Sequence, residues 1–390
     1  MKSQKNLNPL LLKKIFALTI ILALALLVVG CTSSSSFLPQ QNEQEPLTIG
    51  VIAGLTGSAA RHGTNSNNGI MLAIEEINQR GGVNGQIIQT ITEDEKCDVT
   101  TGVQAARKLI DINQRSIIIG PTCSSTAMAI APIAQQNKVI MITPVASVED
   151  LRNAGDFIFR NRVSGLEYSY KIADFSVDTL RARTAAILYI NQDNGISYRD
   201  SFEKRFVERG GIIVQKEAYE NKATDFRTQL TKIKTNNPDV LYIAGQGHEL
   251  AVKQAKDVGI KSKIIGPFTI ETPELLTLAK EAAEGIYYSY SQFDPQQGTP
   301  HMRNFNERYK ERFEIDAEGL AANSYDATML IAKSLEVCGI KETSCVRDFL
   351  SQVKNYQGVS GSITFDPDGE ILQPLTIKQV MNGTFVKVKE

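Results

Sequence analysis

Small hydroxyl side chains follow directly on an apolar segment in the stretch SIIIGPTCSSTAMAIAP, residues 116–132. The apolar part predicts a buried strand, and the alanine-rich part has the spacing of a helix. The first N–H groups of a helix have no partner inside it, so such a junction can bind an anion. Ser124 and Ser125 are therefore candidate ligand-binding residues, although ordinary capping of the helix is the competing interpretation.

The histidines and the sequence motifs do not predict a catalytic site. The histidines His62, His248 and His301 are scattered, and the sequence contains no HExxH, GxSxG or Walker motif. The segment GQGHEL resembles the start of a dinucleotide-binding loop, but Leu250 stands where its third glycine belongs. We therefore predict that the chain is not an enzyme and binds neither a cofactor nor a metal ion.

The first thirty residues predict an export signal. Lysines precede an uncharged apolar run, residues 15–30, which is shorter than the about 20 residues that a spanning helix needs. The junction LVVGC resembles the lipobox of bacterial lipoproteins, in which Cys31 becomes the lipidated first residue. Residues 31–46 then predict a flexible tether. We expect an exported protein, lipid-anchored to the outer face of the cell membrane or a periplasmic lipoprotein.

Cysteine content also favours an exported protein. Without Cys31, the sequence keeps Cys97, Cys123, Cys338 and Cys345, and four cysteines allow three pairings. The short loop CGIKETSC favours pairing of its own two cysteines, which leaves Cys97 with Cys123. The net charge is −1 at pH 7, and the absence of a basic stripe argues against nucleic acid as a partner.

The rhythm of the remaining chain predicts its fold. About 345 residues follow the tether, which is too long for one core and suits two domains. Short apolar runs such as LTIGVIAGL alternate with helix-period segments such as NNGIMLAIEEINQRGG, and a second series begins after FIFRNRV. The predicted fold class is α/β, with two doubly wound parallel-sheet lobes and a final hairpin around Asn382 and Gly383. Ligands of such sheets bind beyond the carboxyl ends of the strands, so facing lobes predict a cleft.

Several motifs together resemble a known family. They are IGVIAGLTGSAARHGTNSNNGIMLAIEEINQRGGVNG, DEKCDV with GPTCSS, ITPVAS, GQGHELAVKQAKDVGI, EAAEGI and SYDA. The chain from Leu47 nearly to its end resembles the branched-chain amino acid (leucine/isoleucine/valine) binding proteins of ABC importers, in the type I periplasmic-binding-protein superfamily. The resemblance implies three crossovers between the lobes, near 159–163, 289–292 and 366–374. It divides the chain into a signal peptide (1–30), the tether (31–46), lobe 1 (47–162 and 291–370) and lobe 2 (163–290 and 371–390).

The resemblance also implies a ligand site. In this family the cysteines matching Cys97 and Cys123 form a disulfide, and the serine after them, here Ser124, holds the ligand carboxylate. Residues of the ITPVAS loop complete the recognition of carboxylate and ammonium. The further positions that the resemblance marks are Ala146 and Ser147 of that loop, His62 at an aromatic pocket position, and Tyr325 of SYDA.

The sequence departs from the family at two positions of this site. Phe268 stands where a glutamate pairs with the ligand's ammonium. Either another acid takes that role, with Glu271, Glu249 and Asp326 as candidates, or the ligand lacks the ammonium, because an unpaired buried charge is costly.

The second departure is Asn194, which stands where a tyrosine often covers the ligand. Gln246 likewise indicates a more polar or differently oriented ligand.

The expected function is that of an extracytoplasmic substrate-binding lipoprotein of an ABC importer. It would bind a small amino acid or related carboxylate by hinge closure. As a monomer, it would then deliver this solute to membrane permease and ATPase subunits. The alternatives are an amide/urea-type or aromatic-acid binding protein of the same superfamily, and a ligand sensor that works through a partner.

Overall fold

The computed structural model describes residues 45–296 and 298–388. The predicted signal peptide, the lipidation site Cys31 and nearly all of the tether lie outside these residues. Within the described part of the chain, no helix combines the length and the apolar character needed to cross a bilayer.

Five parallel strands form the first sheet, in the order β2-β1-β3-β4-β5. Both faces of its central strands are covered by helices, which is why the segments around Ile118 and Met141 are fully buried and are apolar except for Thr143. The strands are β1 (Leu47–Ala53), β2 (Ile88–Asp94), β3 (Ile117–Ile119), β4 (Ile140–Thr143) and β5 (Ile158–Arg160).

Seven strands form the second sheet, in the order β14-β13-β10-β9-β8-β6-β7. The pairs from β7 to β10 are parallel, whereas β13 pairs antiparallel with both β10 and β14. The positive φ angles of Asn382 and Gly383, 52° and 67°, form the predicted hairpin turn. The strands are β6 (Thr184–Ile190), β7 (Ile212–Tyr219), β8 (Val240–Ala244), β9 (Lys263–Gly266), β10 (Tyr287–Ser291), β13 (Leu375–Met381) and β14 (Thr384–Lys387), and a separate small ribbon contains β11 (Tyr356–Gln357) and β12 (Ser362–Ile363).

Helices connect and cover the strands. Helix α10 is buried along most of its length against α1, where Ser66 Oγ lies 2.7 Å from Ser324 Oγ. Gly69 allows this approach, because a Cβ at that position would lie 2.2 Å from the carbonyl oxygen of Ala321. The α-helices of the described residues are α1 (Ala60–Gln79), α2 (Val99–Arg107), α3 (Ser124–Gln136), α4 (Gly165–Asp178), α5 (Asp193–Glu208), α6 (Arg227–Thr235), α7 (Glu249–Asp257), α8 (Pro273–Leu278), α9 (Pro300–Phe313), α10 (Gly319–Cys338) and α11 (Thr343–Ser351).

The chain passes between the two sheets after β5, after β10 and after β12, through residues 161–164, 292–299 and 364–374. The first and third passages are held together by a buried ion pair, in which Arg160 Nε donates to Glu370 Oε2 at 2.6 Å. Arg160 N also donates to the carbonyl oxygen of Gly369 at 2.9 Å. Burial raises the pKa of Glu370 to about 7 against the opposing effect of the Arg160 charge.

Two disulfides join neighbouring elements. Cys97 pairs with Cys123 at a sequence separation of 26, and Cys338 pairs with Cys345 at a separation of 7. The first ties the segment before α2 to the start of α3, and the second ties α10 to α11. Both pairings agree with the sequence-based prediction.

The two loops give a prediction about stability. The chain-entropy relation assigns about 3.5 kcal/mol to the longer loop and about 2.4 kcal/mol to the shorter one. We expect replacement of both Cys97 and Cys123 by alanine to lower the free energy of unfolding by about 1 kcal/mol more than replacement of Cys338 and Cys345. Urea titrations of the two double variants measure this difference, and equal losses would contradict the explanation by loop length.

Candidate functional site

The loops beyond the carboxyl ends of strands in both sheets enclose a cavity of about 40 Å³. Residues 122–125 follow β3, 145–147 follow β4 and 192–198 follow β6. Gln246 follows β8, and Phe268 follows β9. The cavity is lined by Ala59, His62, Cys97, Thr122, Cys123, Ser124, Ser125, Val145, Ser147, Arg162, Gln192, Asp193, Asn194, Tyr198, Gln246 and Phe268.

Helix α3 begins at this cavity. The residue before it, Cys123, makes no side-chain capping bond, so the first amides of the helix stay available to a ligand. Ser124 is the first residue inside the helix and not its cap, and its Oγ accepts a hydrogen bond from Ser147 N at 3.1 Å. The capping interpretation of Ser124 is therefore wrong, whereas its predicted contact with a ligand carboxylate remains a prediction.

Hydrogen bonds with Glu95 and Gly54 hold the loop before α3 in place. Glu95 is fully buried, and its Oε1 accepts hydrogen bonds from Thr122 N at 2.5 Å and Cys123 N at 3.1 Å. Thr122 Oγ1 accepts a further bond from Gly54 N at 3.0 Å. These bonds hold the backbone of the loop in place and leave the start of α3 at the cavity.

Ser147 links the two sides of the cavity. Its Oγ lies 2.8 Å from Tyr198 OH, which belongs to α5, and its carbonyl oxygen accepts from Gly165 N at 2.8 Å. Burial raises the pKa of Tyr198, so the phenol stays protonated. The cavity is therefore bounded by a direct hydrogen bond between elements of the two sheets.

Arg162 is a lining residue that the sequence analysis missed. It is 2% exposed, its Nη1 donates to the carbonyl oxygen of Val145, and its guanidinium carbon lies 3.8 Å from the ring centroid of Phe268. Its Nη2 is buried and has no hydrogen-bond partner among the described residues. The available signal was FRNR, in which one arginine ends a short strand and the other follows two residues later. The ring of Phe268 thus covers a cation at the cavity.

His62 is a neutral member of the site. Burial, together with the charges of Arg61 and Arg162 and the nearby His248, lowers its pKa to about 4. An imidazole with this pKa carries no charge near neutral pH. It can therefore offer a donor and an acceptor to a ligand without adding a second cation.

The structure brings seven of the ten predicted ligand-binding residues to the cavity and leaves three elsewhere. Ala146 is buried behind the lining, with its N–H donating to Thr143 Oγ1 at 3.0 Å. Tyr325 OH donates to Glu76 Oε2 at 2.8 Å. The seven lining residues are Ser124, Ser125, Ser147, His62, Asn194, Gln246 and Phe268.

The acids proposed as partners of an ammonium are engaged away from the cavity lining. Glu271 accepts from Lys378 Nζ at 2.8 Å and from Tyr288 OH at 2.6 Å. Glu249 Oε1 accepts from Thr272 Oγ1 at 3.2 Å. Asp326 binds the backbone and side chain of residues 359–360. Asp193, which the sequence analysis did not single out, lies on the lining and is exposed.

Comparisons with known proteins agree with this architecture. A family model described as periplasmic binding protein matches residues 46–384. The leucine-, isoleucine-, valine-, threonine-, and alanine-binding protein of Pseudomonas aeruginosa is 24% identical over 330 residues, which cover 84% of this chain and 87% of that protein.

Solved structures share the fold. The branched-chain amino acid transporter substrate binding protein LivJ of Streptococcus pneumoniae, in complex with isoleucine, has a TM-score of 0.81 and 26% identity, covering 88% of this chain and all of that one. The solute binding protein of an ABC transporter from Rhodopseudomonas palustris BisB5, in complex with 3,4-dihydroxy benzoic acid, has a TM-score of 0.79 and 24% identity, covering 88% and 96%.

These comparisons bear on three predictions. The predicted α/β fold with two parallel-sheet lobes is confirmed by the sheets of this chain and by the solved structures. The matched family and the relative are described as binding proteins, in agreement with the prediction that this chain is not an enzyme. Because the family model spans most of its length, the chain belongs to the periplasmic binding protein family.

Proposed function

We propose that the protein is the extracytoplasmic substrate-binding component of an ABC importer for a small amino acid or related carboxylate. The observation that carries this proposal is a cavity lined from both sheets, with the uncapped start of α3 opening into it. Such a helix end favours a negatively charged group. The solutes named for the similar proteins, amino acids and an aromatic acid, share a carboxylate.

Ser124 and Ser147 are the proposed carboxylate contacts. Both line the cavity, and each is 8% exposed or less. A bound carboxylate would accept from the hydroxyl of Ser124 and from the first amides of α3 in place of water. Asn194 and Gln246 would contact the remainder of the solute from the opposite side.

Hinge closure is the proposed motion. Lobe 1 (47–162 and 291–370) and lobe 2 (163–290 and 371–390) would separate to admit the solute and close over it. Two contacts support a closed form, the Ser147–Tyr198 hydrogen bond and the approach of Arg61 Nη1 to Glu274 Oε2 at 3.5 Å. Closure would bring groups from both lobes to the solute.

The proposed location follows from the N-terminal sequence. Residues 1–30 would serve as the signal peptide, Cys31 would carry the lipid, and residues 31–46 would tether the binding domain to the membrane. A monomer held there could meet membrane permease and ATPase subunits repeatedly.

An aromatic carboxylate is a second candidate solute. The ring of Phe268 lies on the lining, and Tyr168 packs against it with a centroid distance of 5.0 Å. An aromatic solute would add ring contacts there.

The first prediction concerns the carboxylate. We expect thermal unfolding of the wild-type protein to shift upward with at least one member of a panel of amino acids and deaminated carboxylates. Ser124→Ala should then weaken binding of that solute by about 1–3 kcal/mol, because it removes a hydrogen bond to a charged group. Calorimetric titration measures the loss, with exposed Ser351→Ala as the control. A response to neutral amides alone would contradict the proposal.

The second prediction concerns closure. Glu274→Gln removes the charge that Arg61 approaches across the cleft, and partly exposed pairs contribute about 0.2–1 kcal/mol. We expect dissociation of the solute to become about 1.4- to fivefold faster, with an effect that shrinks at high salt. Stopped-flow dissociation measures it. Glu281→Gln, at an exposed position of the same lobe, serves as the control, and identical rates for both variants would remove this contact from the closed form.

The third prediction concerns pH. The folded protein lowers the pKa of His62 to about 4, from 6.5. The stability linked to this histidine is therefore complete above pH 6.5 and falls as the pH decreases towards 4. We expect His62→Gln to reduce the loss of unfolding free energy between pH 7 and pH 4 by about 3 kcal/mol. Urea titrations at both pH values test this against exposed His301→Gln, and equal losses in the two variants would contradict it.

A further inference from the structure

Arg162 gives the cavity an uncompensated positive charge. Among the described lining residues it is the one that is both buried and permanently charged. His62 is neutral because its pKa is lowered to about 4, and the carboxylate of Asp193 lies at an exposed position. The interior of the site therefore carries net positive charge.

Neighbouring groups do not neutralise this charge. No described carboxylate lies within ion-pair distance of Arg162, and its buried Nη2 lacks a hydrogen-bond partner there. Tyr168 and Tyr198 lie close by, but burial raises the pKa of both, to about 12 for Tyr168, so both stay neutral. The rings of Phe268 and Tyr168 add cation–π contacts, at 3.8 Å and 5.8 Å, but no negative charge.

Arg160 provides a contrast two residues earlier in the chain. It is also fully buried, but Glu370 pairs with its guanidinium and Val148 accepts from its Nη1. Arg160 thus has a carboxylate partner within the protein, whereas Arg162 has none among the described residues. A buried cation without a protein partner is stabilised when a ligand brings the anion.

An ammonium group finds no comparable partner. Glu271 is paired with Lys378, and Glu95 is used by the amides of Thr122 and Cys123 while burial raises its pKa. The lining instead contains the starts of α3 and α5, which both favour negative charge. An amino acid would have to place its ammonium among these groups.

We propose that Arg162 is a specificity-determining residue that selects a carboxylate solute without an ammonium group. The guanidinium and the start of α3 would share the negative charge of the solute, and Phe268 would hold the guanidinium in place. This inference rests on the proposed function and narrows its solute class from amino acids and related acids to the acids alone.

The wild-type protein tests the inference directly. Calorimetric titration would compare amino acids with the acids in which an oxo group replaces the amino group: leucine with 4-methyl-2-oxopentanoate, alanine with pyruvate, and phenylalanine with phenylpyruvate, together with benzoate and benzamide. We expect the acids without an ammonium to bind, and at least tenfold more tightly than their amino acid counterparts. Tighter binding of an amino acid, or no binding of any ammonium-free acid, would overturn the inference. The first outcome leaves the proposed function standing, whereas binding of benzamide alone would end both.

Variants separate recognition from a structural role. Arg162→Gln should weaken binding of the preferred acid at least 30-fold and reduce its preference over the amino acid, and Arg162→Lys should retain part of both. Without ligand, Arg162→Gln should unfold at the wild-type temperature or above it, because it removes an unpaired buried charge. Unchanged affinity and selectivity in Arg162→Gln would overturn the inference.

Asp257→Asn, at an exposed position of α7 away from the cavity, is the matched control, and we expect it to leave the preference for ammonium-free acids unchanged. Asp193→Asn tests the one carboxylate of the described lining, and we expect the preference to persist without it. If Asp193→Asn instead abolishes tight binding of an amino acid, Asp193 is the ammonium partner and the inference falls.

Discussion

The hydrogen bond between Ser147 and Tyr198 is the contact on which the cavity depends. It joins the loop after β4 to helix α5. The carbonyl oxygen of Ser147 also accepts a hydrogen bond from Gly165 N, and Ser147 N donates one to Ser124 Oγ. One short loop therefore positions the start of α3, the first passage between the sheets and the opposite wall. This arrangement explains how two sheets with separate cores present their strand ends to a common small space.

Local patterns predicted much of the fold, because the relevant interactions lie close together in sequence. The apolar strand before GPTCSS, the amphipathic helix at Ile70–Ile77 and the Asn382-Gly383 hairpin each follow from spacing and turn chemistry, and the structure contains all three. The start of α3 and the loop after β4 were likewise predicted, from residues of the motifs GPTCSS and ITPVAS. Their role in binding a solute remains a prediction.

The electrostatics of the site could not be predicted in the same way, because the partners are distant in sequence. Glu271 looked available for an ammonium until the structure paired it with Lys378, 107 residues later. Arg162 resembled any arginine near a strand end, and only the fold shows that Glu370 belongs to Arg160 while Phe268 covers Arg162. Phe268 and Arg162 thus form a contact pair. The sequence marks the departure at Phe268, but no local pattern identifies Arg162 as its partner.

The order of elements along the chain has a consequence for how the protein is made. Helix α10 fills the core beside the first sheet, and β13 completes the edge of the second next to β10, yet both come from the last fifth of the sequence. Both cores therefore lack some of their packing partners while the ribosome still holds this part of the chain, and the nascent polypeptide gains its full packing only when synthesis is nearly complete.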